Sequence, residues 1–216
     1  MTTSPSPARS RPAPGPVGTL AGREISRLQR GYLDDRSEAV AALARLRRAA
    51  GKDAAAVPDL WGLIDLDPLY TDPDLRHDAA ANAVDSVLAL WSLHQQSRPT
   101  GMHRPGGDEL GTAVRRLMPS NEIDEPIRKR FVRAGTAPTL AMLATRLRDI
   151  TVLLRRDDLA LDYALLADQL YHWQQPGGPD RIRRSWGRSF HAAYRTTPTD
   201  TDPSAAAAAT DIKDAS

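Results

Sequence analysis

The chain has 216 residues, 29 Lys and Arg against 27 Asp and Glu, a net charge of +2 and no cysteine. That composition excludes disulfides, thiolate metal sites and a thiol nucleophile, fits a reducing cytoplasm, and suits one domain or two small ones that share a core. No apolar run reaches the length of a signal peptide or a membrane span, so no membrane partner is expected.

Residues 1–18 hold Pro5, Pro7, Pro12, Pro14 and Pro16 among Ser, Arg and Gly, and read as a disordered tail in which Arg9 and Arg11 are solvated. Apolar residues then recur with helical spacing, and no segment alternates with the period of a strand, which predicts an all-α fold. An N-terminal helical part is expected over 19–73 and a larger C-terminal helical bundle over 74–195, followed by a second disordered tail over 196–216. The spacing predicts helices at Thr19 to Leu33, Asp35 to Ala50, Asp74 to Gln96, Asp108 to Met118, Asp124 to Ala134, Thr136 to Arg155, Asp158 to Gln174 and Pro179 to Tyr194. Thr or Asp caps mark their starts, and several stop at Gly or before Pro. Val57 to Pro73, broken by Pro58, Pro68 and Pro73, reads as a link, and Ser97 to Gly107 as the clearest internal loop.

Catalytic signatures are weak, and a non-enzyme without cofactor or metal is expected. PGGDELG and QPGGPD lack the strand–loop–helix context and the Lys-Ser/Thr ending of a phosphate loop, so they read as turns. Asp65, Asp67, Asp72 and Asp74 lie beside Pro68 and Pro73 and read as turn and cap residues. The five His show no i, i+4 zinc pair, and His94 and His172 read as packed at the edge of the core. Trp61, Trp91, Trp173 and Trp186 all sit in apolar contexts and are expected in the core.

Charge placement is the informative signal. Residues 115–156 hold ten Lys and Arg against four acids, 157–180 hold five Asp and no Lys or Arg, and 181–195 hold five Arg and no acid. On a helix of 100° per residue, Ile182, Trp186 and Phe190 share one arc, while Arg181, Arg184, Arg188 and Arg195 share another of about 60° nearly opposite. Arg183 falls on the flank. Solvated faces usually mix signs, because like charges at i,i+4 repel, so this face points to an anionic ligand. The upstream block adds Arg115 and Arg116 in LGTAVRRL, Lys129, Arg130 and Arg133 in IRKRFVRAG, and Arg146 and Arg148 beside a Leu and Ile stripe. Together these bases form a candidate nucleic-acid track. Asp157, Asp158, Asp162 and Asp168 leave a competing reading open, in which they neutralise the Arg run or dock a protein.

The succession ALWSLHQ, Met102 and His103, LGTAVRRL, RKRFVRAG, LATRLRDITVLL, DYALLADQLYHW and RIRRSWGRSF resembles the CasB family, the small subunit of the type I-E CRISPR Cascade surveillance complex. The resemblance covers Leu88 to Tyr194 well and is looser before that. It implies an all-helical, non-catalytic protein, present as two copies among the other Cascade subunits and the guide RNA. Its surface Arg and Lys would contact the target DNA and the displaced non-target strand and so hold the R-loop. Carried over by position, the contacting bases fall near Arg130, Arg133, Arg148 and the Arg181, Arg183, Arg184 cluster. The inserted QQPGGPD shifts that last register, and the helical face favours Arg184 and Arg188 beside Arg181. A helical adaptor, whose charge blocks dock other subunits without touching nucleic acid, is the alternative.

Overall fold

The computed structural model describes residues 13–50, 57–58, 61–119 and 122–196, so both outer tails lie largely outside it. Along the chain run α1 (Pro16–Leu33), α2 (Ser37–Arg47), α3 (Asp67–Tyr70), α4 (His77–Gln95), α5 (Leu110–Arg116), α6 (Glu125–Gly135), α7 (Leu140–Arg156), α8 (Tyr163–Trp173) and α9 (Gly178–Thr196). The fold is all-α, with no strand among the described residues. Each predicted helix is present, and α3 is an extra turn inside the expected link.

Differences at the helix ends have local causes. Pro16 occupies the first turn of α1, where its missing N–H is no loss and its fixed φ suits a helix, so α1 begins earlier than expected. The start of α7 is set by Thr139, whose Oγ1 accepts from Met142 N at 3.2 Å. The segment before α8 is not helical, because Asp158 takes φ +53° and Leu161 bridges to His103. Asp162 then caps α8, its Oδ1 accepting from Leu165 N at 3.1 Å.

α4 is central and packs on α1, α2, α7 and α8, while α5 lies along α9 and α1 along α8. One hydrophobic cluster runs from Val17 to Phe190. The Ser97 to Gly107 loop is tied down by amides. Gln95 Oε1 accepts from Met102 N at 2.9 Å, Gln29 Oε1 accepts from His103 N at 2.9 Å, and Tyr163 N donates to His103 Nδ1 at 3.2 Å. His94 is fully buried against the Tyr163 hydroxyl at 2.9 Å, and burial pushes its imidazole down to about 3, so it stays neutral.

Trp61 and His172 are not packed as the sequence predicts. Trp61 is 69% exposed rather than in the core, because the Pro-punctuated link turns over the surface. His172 is exposed, since it lines the open cleft between α8 and α9. The paired-Gly turns and the Asp-rich turns hold: Gly106 and Gly177 both take φ +68°, and Asp65 and Asp72 accept from Asp67 N and Asp74 N at 3.0 Å each.

Asp85 is half-buried on α4, and desolvation pushes its carboxyl up to about 6. The folded carboxyl therefore holds its proton to a higher pH than the unfolded one, and the stability this confers is lost as pH rises through about 6. Asp85→Asn is expected to raise the melting temperature by a few degrees at about pH 8 and to change it little at about pH 4, by thermal melts at both.

Candidate nucleic-acid interface

α9 carries the strongest basic face because its other face is fully committed. Ile182, Trp186 and Phe190 are 5%, 1% and 7% exposed. The Trp186 ring stacks on Trp173 at 5.6 Å and lies 6.2 Å from Phe131, and its Nε1–H donates to Gln169 Oε1 at 2.7 Å. α5 presses on the same helix so closely that a Cβ on Gly111 would collide with the Trp186 carbonyl. Rotation of α9 is thus blocked, and Arg181, Arg184 and Arg188 are held on the exposed side.

Arg183 and Arg146 do something different. Arg183 pairs with Asp180 and donates to the Gly135 carbonyl at 3.1 Å, while Arg146 donates to the Arg133 carbonyl and to Met142 Sδ. Both guanidiniums serve the C-terminal carbonyls of α6, where the helix dipole favours positive charge. They hook α9 and α7 onto the end of α6, and so bring the two basic blocks of the sequence together. Lys129, Arg130 and Arg133 on α6, and Arg148 on α7, are exposed. With Arg181, Arg184 and Arg188 they form no ion pair with any acid among the described residues.

The other two candidates are engaged. Arg116 is exposed but pairs with Asp108 at 2.6 Å. Arg115 is 2% exposed, donates to the Pro119 carbonyl at 2.8 Å, and lies 4.7 Å from the Tyr194 ring centroid. It is part of the interior, and a surface track has to omit it.

The acidic block has internal work throughout. Asp157 pairs with Arg156 and Asp158 with Arg98, each at 2.7 Å. Asp162 is 3% exposed, and beyond capping α8 its Oδ2 accepts from Gly106 N at 2.9 Å. Asp168 reaches across to the start of α1 and accepts from Gly15 N at 2.7 Å and Gly18 N at 2.6 Å. Burial pushes the Asp168 carboxyl up, and those two N–H groups oppose the shift. The reading in which this block neutralises the Arg run or docks a partner is left with little free charge. Reversal of charge at Asp162 or Asp168 removes helix-terminal hydrogen bonds, so any loss of assembly would report misfolding first.

A cleft of about 550 Å³ opens between the start of α1, α8 and α9, lined among others by Asp168, His172, Arg181 and Arg188. The sequence offered no sign of it, because it arises from the packing of three helices distant in the chain. Partial desolvation by the cleft walls and the nearby Arg181 push the His172 imidazole down. No group of three or more potential metal ligands occurs among the described residues, and no described helix is long and apolar enough to cross a membrane.

Residues 42–191 match the family model for the CRISPR-associated protein Cse2. Among solved structures, CasB from Thermobifida fusca is 51% identical with a TM-score of 0.76, over 83% of this chain and 99% of that one. A Cse2-family protein from Thermus thermophilus is 24% identical with a TM-score of 0.61, over 82% and 98% of the two chains. A chain of a CRISPR RNA-guided surveillance complex shares the fold at 18% identity and a TM-score of 0.61, over 83% and 96%. Comparison with curated proteins gives no match.

Proposed function

The chain belongs to the CRISPR-associated Cse2 family, and from that premise we propose that it is the non-catalytic small subunit of a type I-E Cascade complex and stabilises the R-loop by sequence-independent contacts to DNA backbone. Its partners in this reading are the other Cascade subunits with their guide RNA, the target strand, the displaced strand and a second copy of itself, in the cytoplasm. One observation carries the proposal: Lys129, Arg130, Arg133, Arg148, Arg181, Arg184 and Arg188 are exposed without acidic partners, on three helices joined at the end of α6.

Guide pairing supplies sequence, and the protein supplies positive charge along a strand that would otherwise re-anneal. Arg suits this role, because its planar fork donates two parallel hydrogen bonds to phosphate oxygens and is weakly hydrated. Contacts to phosphate carry no sequence information. The purified chain is therefore expected to bind single strands of unrelated sequence with affinities within about threefold of one another, all weakening together as salt rises. Strong preference for one sequence in a filter-binding series would overturn the reading.

A further inference from the structure

Among the described residues no acid pairs with Arg181, Arg184 or Arg188: Asp157, Asp158, Asp162 and Asp168 are engaged elsewhere, and Asp180 pairs with Arg183. The sequence that follows α9 is acidic. From Thr197 to Ser216 it holds Asp200, Asp202, Asp211 and Asp214 against Lys213 alone, with Ile212 its one large apolar residue. We propose that segment 197–216 docks on the Arg181, Arg184 and Arg188 face and competes there with nucleic acid, an inference that rests on reading this face as a polyanion site.

Reach and charge both fit. α9 ends at Thr196, which puts Arg188 about 12 Å and Arg181 about 22 Å back along the axis at 1.5 Å per residue. An extended chain covers about 13 Å by Asp200 and about 20 Å by Asp202, so a segment that doubles back meets the Arg residues in turn. With so little apolar content the contact is held by charge, and salt releases it. Exposed ion pairs are individually weak, but a tethered segment acts at an effective concentration of about millimolar, which makes weak pairs count. A long phosphate backbone at high local density displaces it, so the segment suppresses stray binding more than capture within an assembled complex.

The test uses the full chain. Asp200, Asp202, Asp211 and Asp214 changed together to Asn should tighten binding to oligothymidine of about 20 nucleotides by about fivefold at low salt, and by much less at about 0.5 M salt. A second readout needs no nucleic acid. Because the chain has no cysteine, His172→Cys, exposed beside Arg181, and Ser204→Cys, two residues past Asp202, can carry a fluorescent donor and acceptor. Transfer between them should fall as salt rises, and should start low when Arg181, Arg184 and Arg188 are changed to Ala. Transfer indifferent to both salt and the Arg changes would overturn the docking. Salt-sensitive transfer, with no oligonucleotide binding by either the native or the Asn-substituted chain, would support the docking and overturn the polyanion reading instead.

Discussion

Trp186→Ala is expected to cost the fold about 4 kcal/mol, the largest loss from any single change near the basic face. The side chain is 1% exposed, stacks on Trp173, meets Phe131, and supplies the N–H that satisfies Gln169. Its removal leaves a cavity beneath α9 and a buried amide oxygen without a donor, and the two costs add. Small domains keep only about 5–15 kcal/mol in hand, so α9 would detach at modest denaturant and take Arg181, Arg184 and Arg188 with it. Trp186→Phe narrows the terms: it keeps a six-membered aromatic ring but loses the hydrogen bond and the smaller ring's volume, and is expected to cost less, about 1–3 kcal/mol. Urea melts of both variants read the difference. A change below about 1 kcal/mol for the Ala variant would mean that α9 is not held by its inner face.

Arg181→Ala, Arg184→Ala and Arg188→Ala together are expected to leave the fold intact while weakening strand binding by about 50-fold near physiological salt. All three side chains are exposed and make no ion pair among the described residues, so their loss removes like-charge repulsion along α9 rather than a contact. Stability should change by no more than about 0.5 kcal/mol. Each phosphate neutralised on a single strand contributes about 0.7 to the salt slope, and three Arg account for the estimate. The same substitution at Arg146 or Arg183 would be a poor test, because those guanidiniums serve the carbonyls at the end of α6 and their loss disturbs packing as well as charge.

Elements whose identity rests on local pattern were legible in the sequence. The inner face of α9, Ile182 with Trp186 and Phe190, and the outer face of Arg181, Arg184 and Arg188 both follow from spacing alone, since one wall of packing defines each. Arg115 was not legible. Most of α5 is covered by α9 and α7, so its residues are buried on several sides, and the covering Tyr194 is distant in sequence. Adjacency to Arg116 made the two look alike, while only Arg116 reaches the surface. Asp162 had a visible signal, an Asp ahead of an apolar helical run. Asp168 had none, because its partners Gly15 and Gly18 lie about 150 residues earlier. The acidic block therefore looked like free charge in the sequence, whereas Asp162 and Asp168 serve helix N-termini and Asp157, Asp158 and Asp180 pair with Arg156, Arg98 and Arg183. Trp61 was misjudged for the converse reason: an apolar neighbourhood in sequence is not a covered one in space.

The central claim, that three unpaired Arg on α9 hold strand backbone, is tested most directly by the slope of log K against log salt for one oligonucleotide, measured for the native chain and for the Arg181, Arg184, Arg188 triple-Ala variant. A slope shallower by about 2 in the variant, with its thermal melt unchanged, is the predicted result. Equal slopes for the two proteins would contradict the account.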